Sequence, residues 1–301
     1  MSPIPEPSRT GTVDFRGWRT WYRITGDLES AGTPVVVLHG GPGATHDYTL
    51  RIAGLAAQGR AVVHYDQLGN GHSTHLPDNG AEFWTVPLFL DELDNLLAAL
   101  GVADRYQLLG QSWGGMLAAE HAVRQPAGLR SLVIADSPAS MPVWRLETSR
   151  LRAELPTEVQ KTLAEHEATG STDHPDYREA EKVYNDKHVC RVVPNPPEVA
   201  ATFAAIEADP TVYHTMNGPN EFHVVGTLRD WTIAERVGRI AVPTLLVSGR
   251  YDEATEATVQ PFADGIPDVR WEIFANSSHM PHVEEEAAFL RLVGAFLDEN
   301  D

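Results

Sequence analysis

The sequence predicts an α/β fold: a mostly parallel sheet flanked by helices, interrupted once by an inserted helical cap. Three observations predict it. Short apolar, β-branched runs alternate with longer amphipathic stretches. Several of those runs, Val35–Leu38 among them, lack polar alternation, as strands covered on both faces do. The alternation lapses from about residue 138 to residue 237 and resumes at Val242-Pro243-Thr244-Leu245-Leu246-Val247. With 301 residues, 42% of them hydrophobic, the chain is long enough for one large core carrying an insertion.

In chain order, the proline-rich residues 1–10 are expected to form an extended arm. Strands are expected at Thr20–Ile24, Val35–Leu38, Ala61–Tyr65, Tyr106–Leu109, Leu132–Ala135, Thr244–Val247 and Arg270–Phe274. Helical patterns fill the gaps at His46–Ala57, Leu88–Leu100, Met116–Val123, Glu256–Ala263 and Glu284–Leu297. Strands alternating with helices imply parallel pairing. The core would then comprise residues 1–137 and 238–301, and the cap residues 138–237. Within the cap, Pro156–Ala168 and Tyr177–His188 look helical and Pro194-Asn195-Pro196-Pro197 looks like a turn. Such a cap would lie over the C-terminal edge of the sheet, where open α/β folds bind ligands.

Composition narrows the function classes. The 23 basic and 42 acidic residues give a net charge of -19, which argues against nucleic acid or an anionic membrane as partner. No apolar run reaches the roughly 18–20 residues of a membrane span. The N-terminus has no basic region followed by an apolar one. Cys190, the single cysteine, excludes an intrachain disulfide. The expected location is cytoplasmic; the oligomeric state is left open.

The chemistry concentrates in four loops, each after an expected strand. Leu109-Gly110-Gln111-Ser112-Trp113-Gly114-Gly115 has the Gly-x-Ser-x-Gly pattern between strand and helix, the setting of a strained nucleophile elbow. A serine nucleophile needs a base and an orienting acid, which on this scaffold come in the order Ser, Asp or Glu, His. Asp252 follows strand Thr244–Val247 and His279 follows strand Arg270–Phe274, which suggests Ser112, Asp252 and His279 as a triad. Asp136, also just past a strand, is the alternative acid, and His282 the alternative base. His39-Gly40-Gly41-Pro42-Gly43 has the composition of an oxyanion loop; the backbone N–H groups of Gly41 and Trp113 would be its donors. His39 itself is expected to be structural. Asp66-Gln67-Leu68-Gly69-Asn70-Gly71-His72-Ser73 is expected to be a tight turn that braces these loops. Neither a phosphate-binding lysine loop nor a familiar metal-ligand spacing is present, so no metal and no cofactor are expected.

Together these motifs resemble the proline iminopeptidase family of α/β-hydrolase serine peptidases. Met216-Asn217-Gly218-Pro219-Asn220-Glu221-Phe222, Gly226-Thr227-Leu228-Arg229-Asp230-Trp231 and His174-Pro175-Asp176-Tyr177 look especially like its tricorn-interacting aminopeptidase branch. The resemblance runs from about residue 15 to 297. It implies the α/β-hydrolase fold and release of an N-terminal residue from a small peptide or aminoacyl substrate. It also implies that Glu221 and Glu253 bind the substrate's free α-amine. Trp113, Trp144 and Phe222 are candidates for an apolar wall around the first side chain. Leu68 stands where the family often has arginine, which leaves that loop's bracing to be explained. The alternatives are an esterase or amidase acting on a specialised metabolite, or a non-catalytic receptor on the same fold.

Overall fold

The computed structural model describes residues 3–301. Eight strands, β1 (Arg9–Phe15), β2 (Trp18–Thr25), β3 (Val35–Leu38), β4 (Val62–Asp66), β5 (Tyr106–Gln111), β6 (Leu129–Ala135), β7 (Thr244–Gly249) and β8 (Val269–Phe274), form one sheet. Their spatial order is β1-β2-β4-β3-β5-β6-β7-β8. The pairs β1–β2 and β2–β4 are antiparallel; the remaining pairs are parallel. The valine and leucine runs of β3 and β5 are buried at every residue, because helices cover both faces of the sheet.

β1 is a strand the sequence does not announce. Its residues Arg9-Thr10-Gly11-Thr12-Val13-Asp14-Phe15 bury little, as fits the edge of a sheet. It joins β2 through a two-residue turn, with Phe15 opposite Trp18. Arg16 and Gly17 take φ of 52° and 88°, the doubly left-handed geometry that usually calls for Asn-Gly. Arginine in the first position hides that signal.

The helices are α1 (Val86–Ala99), α2 (Trp113–Ala122), α3 (Met141–Ala153), α4 (Thr157–Thr169), α5 (Pro175–His188), α6 (Pro197–Ala208), α7 (Thr211–Met216), α8 (Glu256–Gly265), α9 (Pro281–Glu284) and α10 (Glu286–Glu299). The segment expected as a helix at His46–Ala57 is a 3₁₀ helix, Asp47–Gln58. There the carbonyls of Tyr48 and Thr49 accept ring N–H groups from His282 and His64, at 3.0 and 3.1 Å. The single helix expected at Glu284–Leu297 is broken at Glu285. That carboxylate reaches back to Asn276 N and Ser277 Oγ, at 3.0 and 2.8 Å, and pins the loop after β8.

Five helices, α3 to α7, lie between β6 and β7. Prolines open three of them within the first two positions, where a missing N–H costs nothing. The run Pro194–Pro197, expected as a turn, therefore leads directly into α6. This segment has its own apolar cluster, with Leu163, Tyr177, Tyr184, Val199 and Phe222, which merges with Ala44, Tyr48 and Met280 of the sheet domain. Buried Arg51 bonds Glu198 of α6 at 2.5 Å, and Thr202 Oγ1 meets Thr45 Oγ1 at 2.8 Å. Among the described residues no helix is long and apolar enough to cross a membrane.

Candidate active site

β5 delivers Ser112 into a backbone conformation of φ 57° and ψ -125°, and α2 starts at the next residue. A left-handed φ at a residue with a Cβ costs of order 1–3 kcal/mol, and such strain clusters at functional sites. Here the surroundings impose it. Ser112 N–H donates to Ala135 O at 2.9 Å, and its carbonyl accepts from Gly115 N at 2.8 Å. A Cβ at Gly114 would strike the Leu38 carbonyl, and one at Gly110 the Gly114 carbonyl. Strand, turn and helix fit only because both positions are glycine. The N-terminus of α2, with its partial positive charge, thus lies at the serine.

The loop after β3 packs on this elbow. A Cβ at Gly40 would sit 2.9 Å from that of Ser112. Gly40 N–H donates to Tyr48 Oη at 2.7 Å, Tyr48 Oη donates to Gln111 Oε1, and Gln111 Nε2 donates to the His279 carbonyl at 2.7 Å. One chain of hydrogen bonds thereby ties the glycine loop, the serine turn and the histidine loop. Sequence reasoning missed Gln111 and Tyr48; the x of Gly-x-Ser-x-Gly carries no signal of its own. Gly41 (φ 108°), Ser112, Trp113 and Trp144 line one small cavity.

His39 is structural. Its Nε2 accepts from Gln67 N at 3.0 Å, so Nδ1 carries the proton and donates to Gly40 O at 3.0 Å. Burial pushes its pKa down to about 4, which keeps the ring neutral. The Asp66–Ser73 turn braces its neighbours as expected. Asp66 Oδ1 holds His46 N, Asp66 Oδ2 holds His72 N, and Gln67 Oε1 accepts the Trp113 indole N–H, each at 2.8 Å. Leu68 is buried, and its N–H rests on the carboxylate of Glu92 at 3.0 Å. That bond accounts for the turn's bracing without an arginine.

Asp252 stands on the loop after β7. Its Oδ1 accepts from Ala254 N at 2.8 Å and lies 2.6 Å from His279 Nδ1. Burial alone would lower the His279 pKa, but the charge and hydrogen bond of Asp252 outweigh it and hold the pKa above the ordinary value. Ser112 and His279 line a common cavity with Tyr48 and Met280. His282, the alternative base, donates from Nε2 to Tyr48 O, and burial takes its pKa down to about 3. Asp136, the alternative acid, is fully buried beside Asp252 and contacts no histidine nitrogen in a described hydrogen bond.

Glu253 follows Asp252 and is 0% exposed. Its Oε1 lies 4.0 Å from His279 Nε2. Neither carboxylate oxygen has a hydrogen-bond partner of ordinary geometry, although the Tyr184 hydroxyl faces them. Glu221 Oε1 accepts from Tyr213 Oη at 2.6 Å. The Met216–Phe222 string positions it: Asn220 Oδ1 accepts from Phe222 N and His223 N, at 3.2 and 2.9 Å, and the Trp144 indole holds the Glu221 carbonyl at 2.8 Å. A third carboxylate, Glu181 of α5, was missed. It lies four residues after buried Tyr177 and three before buried Tyr184, a helical spacing that marks the inward face. Burial and the neighbouring Glu221 raise its pKa to about 7. Burial likewise raises Glu221 and, with Glu221 beside it, raises Glu253 further. The cavity at Ser112 shares Tyr213 and Glu221 with a wider one of about 530 Å³ that Glu181 lines.

Trp144 borders the cavity at Ser112, with its ring 6.0 Å from that of His279. Trp113 lines the same cavity, its indole N–H donating to Gln67. Phe222, expected in the wall around the first side chain, lies 4.6 Å from the Tyr184 ring and under the Arg152 guanidinium, in the apolar cluster that also holds Tyr48 and Met280. His166, His174 and Asp176 cluster at the exposed turn between α4 and α5 and include none of the site's residues.

Comparison with known proteins places the fold and the family. A family model described as alpha/beta hydrolase fold matches residues 33–286. A proline iminopeptidase of Lactobacillus delbrueckii subsp. lactis is 37% identical over 292 residues, covering 96% of this chain and 98% of that one. A crystal structure of VinJ superposes with a TM-score of 0.97 at 58% identity, covering 98% of this chain and 100% of the other. A crystal structure of a proline iminopeptidase from Mycobacterium smegmatis has a TM-score of 0.90 at 52% identity, covering 97% and 98%. Fold and relatives together define an α/β-hydrolase of the serine hydrolase class. Within that class the chain belongs to the proline iminopeptidase family.

Proposed function

We propose that the chain is a serine aminopeptidase that releases the N-terminal residue, proline or another, from small peptides or aminoacyl amides through an acyl-enzyme. Ser112 Oγ attacks the carbonyl of the first residue. His279 takes the serine proton at Nε2 and passes it to the leaving amine. Asp252 holds Nδ1–H and stabilises the imidazolium. The N–H groups of Gly41 and Trp113 receive the oxyanion, and water then frees the amino acid. Residues 138–237 act as the cap, and Trp144 walls the first side chain.

The observation that carries the aminopeptidase reading is Glu253, a fully buried carboxylate faced by the Tyr184 hydroxyl but holding no hydrogen bond of ordinary geometry, 4.0 Å from the base and beside Glu221. A buried acceptor without a donor is costly unless a ligand completes it. A substrate ammonium supplies both the donors and the charge. It would also draw down the raised pKa values of the two glutamates.

The test is a comparison of free and N-acetylated aminoacyl substrates at constant pH. Charge-assisted hydrogen bonds contribute about 1.5–3 kcal/mol each, so acetylation is expected to cost at least ~10-fold in kcat/KM per lost contact. Glu253→Gln should show a similar loss on free-amine substrates and a smaller one on a neutral ester. Equal cleavage of blocked and unblocked substrates would replace this reading with a general esterase. The pH dependence has a defined sign: free-amine affinity improves as pH rises through the raised glutamate pKa values. It falls again as the substrate amine loses its proton near pH ~8.

A further inference from the structure

Asp136 is a buried carboxylate at the site to which the mechanism gives no task. It follows β6 directly, at φ 51° and 0% exposure. Its backbone is fixed, because Asp136 N–H donates to Val247 O at 2.8 Å. Its Oδ1 accepts from Gly249 N at 3.2 Å, while Oδ2 is buried without a partner. Asp252 shows the complementary arrangement: Oδ1 holds Ala254 N and His279 Nδ1, and Oδ2 is buried without a partner. The two carboxyl groups are within hydrogen-bonding reach of each other.

If both were ionised, two acceptors would face one another in a dry interior with no donor between them. A single proton between the Oδ2 atoms satisfies both. Asp252 already receives two donors on Oδ1, one of them from the ring that becomes cationic during the reaction, so its ionised form is the better supported. Asp136 has one long backbone bond. We infer that Asp136 is a positioning residue that stays protonated and donates a hydrogen bond from its carboxyl group to Asp252 Oδ2. That bond fixes the plane of the Asp252 carboxylate and so the aim of Oδ1 at His279. Burial and the charge of Asp252, with a further contribution from Glu284 of α9, hold the Asp136 carboxyl well above the usual carboxylate range. The titratable groups facing the pair are His279 on the β8 loop, Glu253 beside Asp252, Glu284 of α9, Tyr184 and His188 of α5, and Tyr48; substitutions at Asp136 leave all of them in place. The inference rests on Asp252 and His279 acting as proposed above.

The test is the pH profile of kcat/KM on a neutral ester, whose acid limb does not include the amine-binding glutamates, for Asp136→Asn and Asp136→Ala, with melting curves to establish folding. An asparagine amide reproduces the protonated acid: its NH₂ donates to Asp252 Oδ2 and its carbonyl accepts from Gly249 N. Asp136→Asn is expected to keep kcat within about threefold and to leave the acid limb, set by His279, unmoved. Asp136→Ala is expected to lose on the order of 10–100-fold in kcat with KM little changed, as misaiming a reacting group does. An acid limb that moves down by about one unit or more in Asp136→Asn would show that an ionised neighbour had been removed, which overturns the inference. So would an asparagine variant as damaged as the alanine one, or an undamaged alanine variant. Should Asp136→Ala fail to fold, the acid limb of Asp136→Asn still decides. Failure of the underlying triad is read separately, as full activity in Asp252→Asn.

Discussion

Ser112→Ala is expected to abolish turnover, lowering kcat by about 10⁴–10⁶, while the protein still melts cooperatively. The expectation of an intact fold rests on the backbone. The turn is held by Ser112 N–H on Ala135 O and by the Ser112 carbonyl on Gly115 N, bonds that alanine retains. The loss rests on the absence of any other nucleophile on α2's N-terminus. Steady-state hydrolysis of an aminoacyl amide, together with titration by a serine-directed covalent inhibitor, reads both halves. Near-normal hydrolysis by a folded variant would end the acyl-enzyme mechanism.

Asp252→Asn is expected to lower kcat by roughly 10⁴ with the fold preserved. The side chain keeps its size; with its carbonyl at the Oδ2 position its NH₂ faces His279 Nδ1, and Ala254 N gives up its acceptor. Its amide, however, favours the histidine tautomer with the proton on Nε2, which cannot take a proton from serine. On a neutral ester the acid limb should also move down, because Asp252, with smaller contributions from Glu221 and Glu284, holds the His279 pKa above its ordinary value. A variant within tenfold of the parent would mean that another carboxylate orients the base.

The site was legible where chemistry is local in sequence. A glycine-flanked serine between an apolar strand and a helix, and an acid and a histidine each just past a strand, are short-range patterns. Parallel strands gather the loops at their C-terminal ends along one edge of the sheet. The sequence alone therefore suggests pairing Asp252 with His279. Features set by contacts across the fold escaped. β1 is polar because it borders solvent, and its turn uses arginine where asparagine would announce it. α6 comes after a proline run that can open a helix as readily as make a turn. Glu181 joins the other two glutamates only when α5 is laid over the sheet. Phe222 was expected in the wall around the first side chain, and its contacts with Tyr184 and Arg152 come from helices that the sequence does not place relative to it.

The buried carboxylate of Glu253 also bears on thermodynamic stability. A carboxyl whose folded-state pKa is raised contributes stability that is present below its unfolded pKa, near 4.3, and lost as pH rises through the folded value. Glu253 is such a group, raised by burial and by Glu221 and Asp252. The empty enzyme should thus be less heat-resistant at pH 8 than at pH 5 on this account. Glu253→Gln should recover about 1 kcal/mol at pH 8, a rise in Tm of roughly 2–4 °C, and close to nothing near pH 4. Melting curves at the two pH values check this, and a lower Tm for the variant at pH 8 would count against it. The residue proposed to hold the substrate amine is then one the fold tolerates at a cost, and a ligand with a free amine should raise the melting temperature more than its acetylated counterpart.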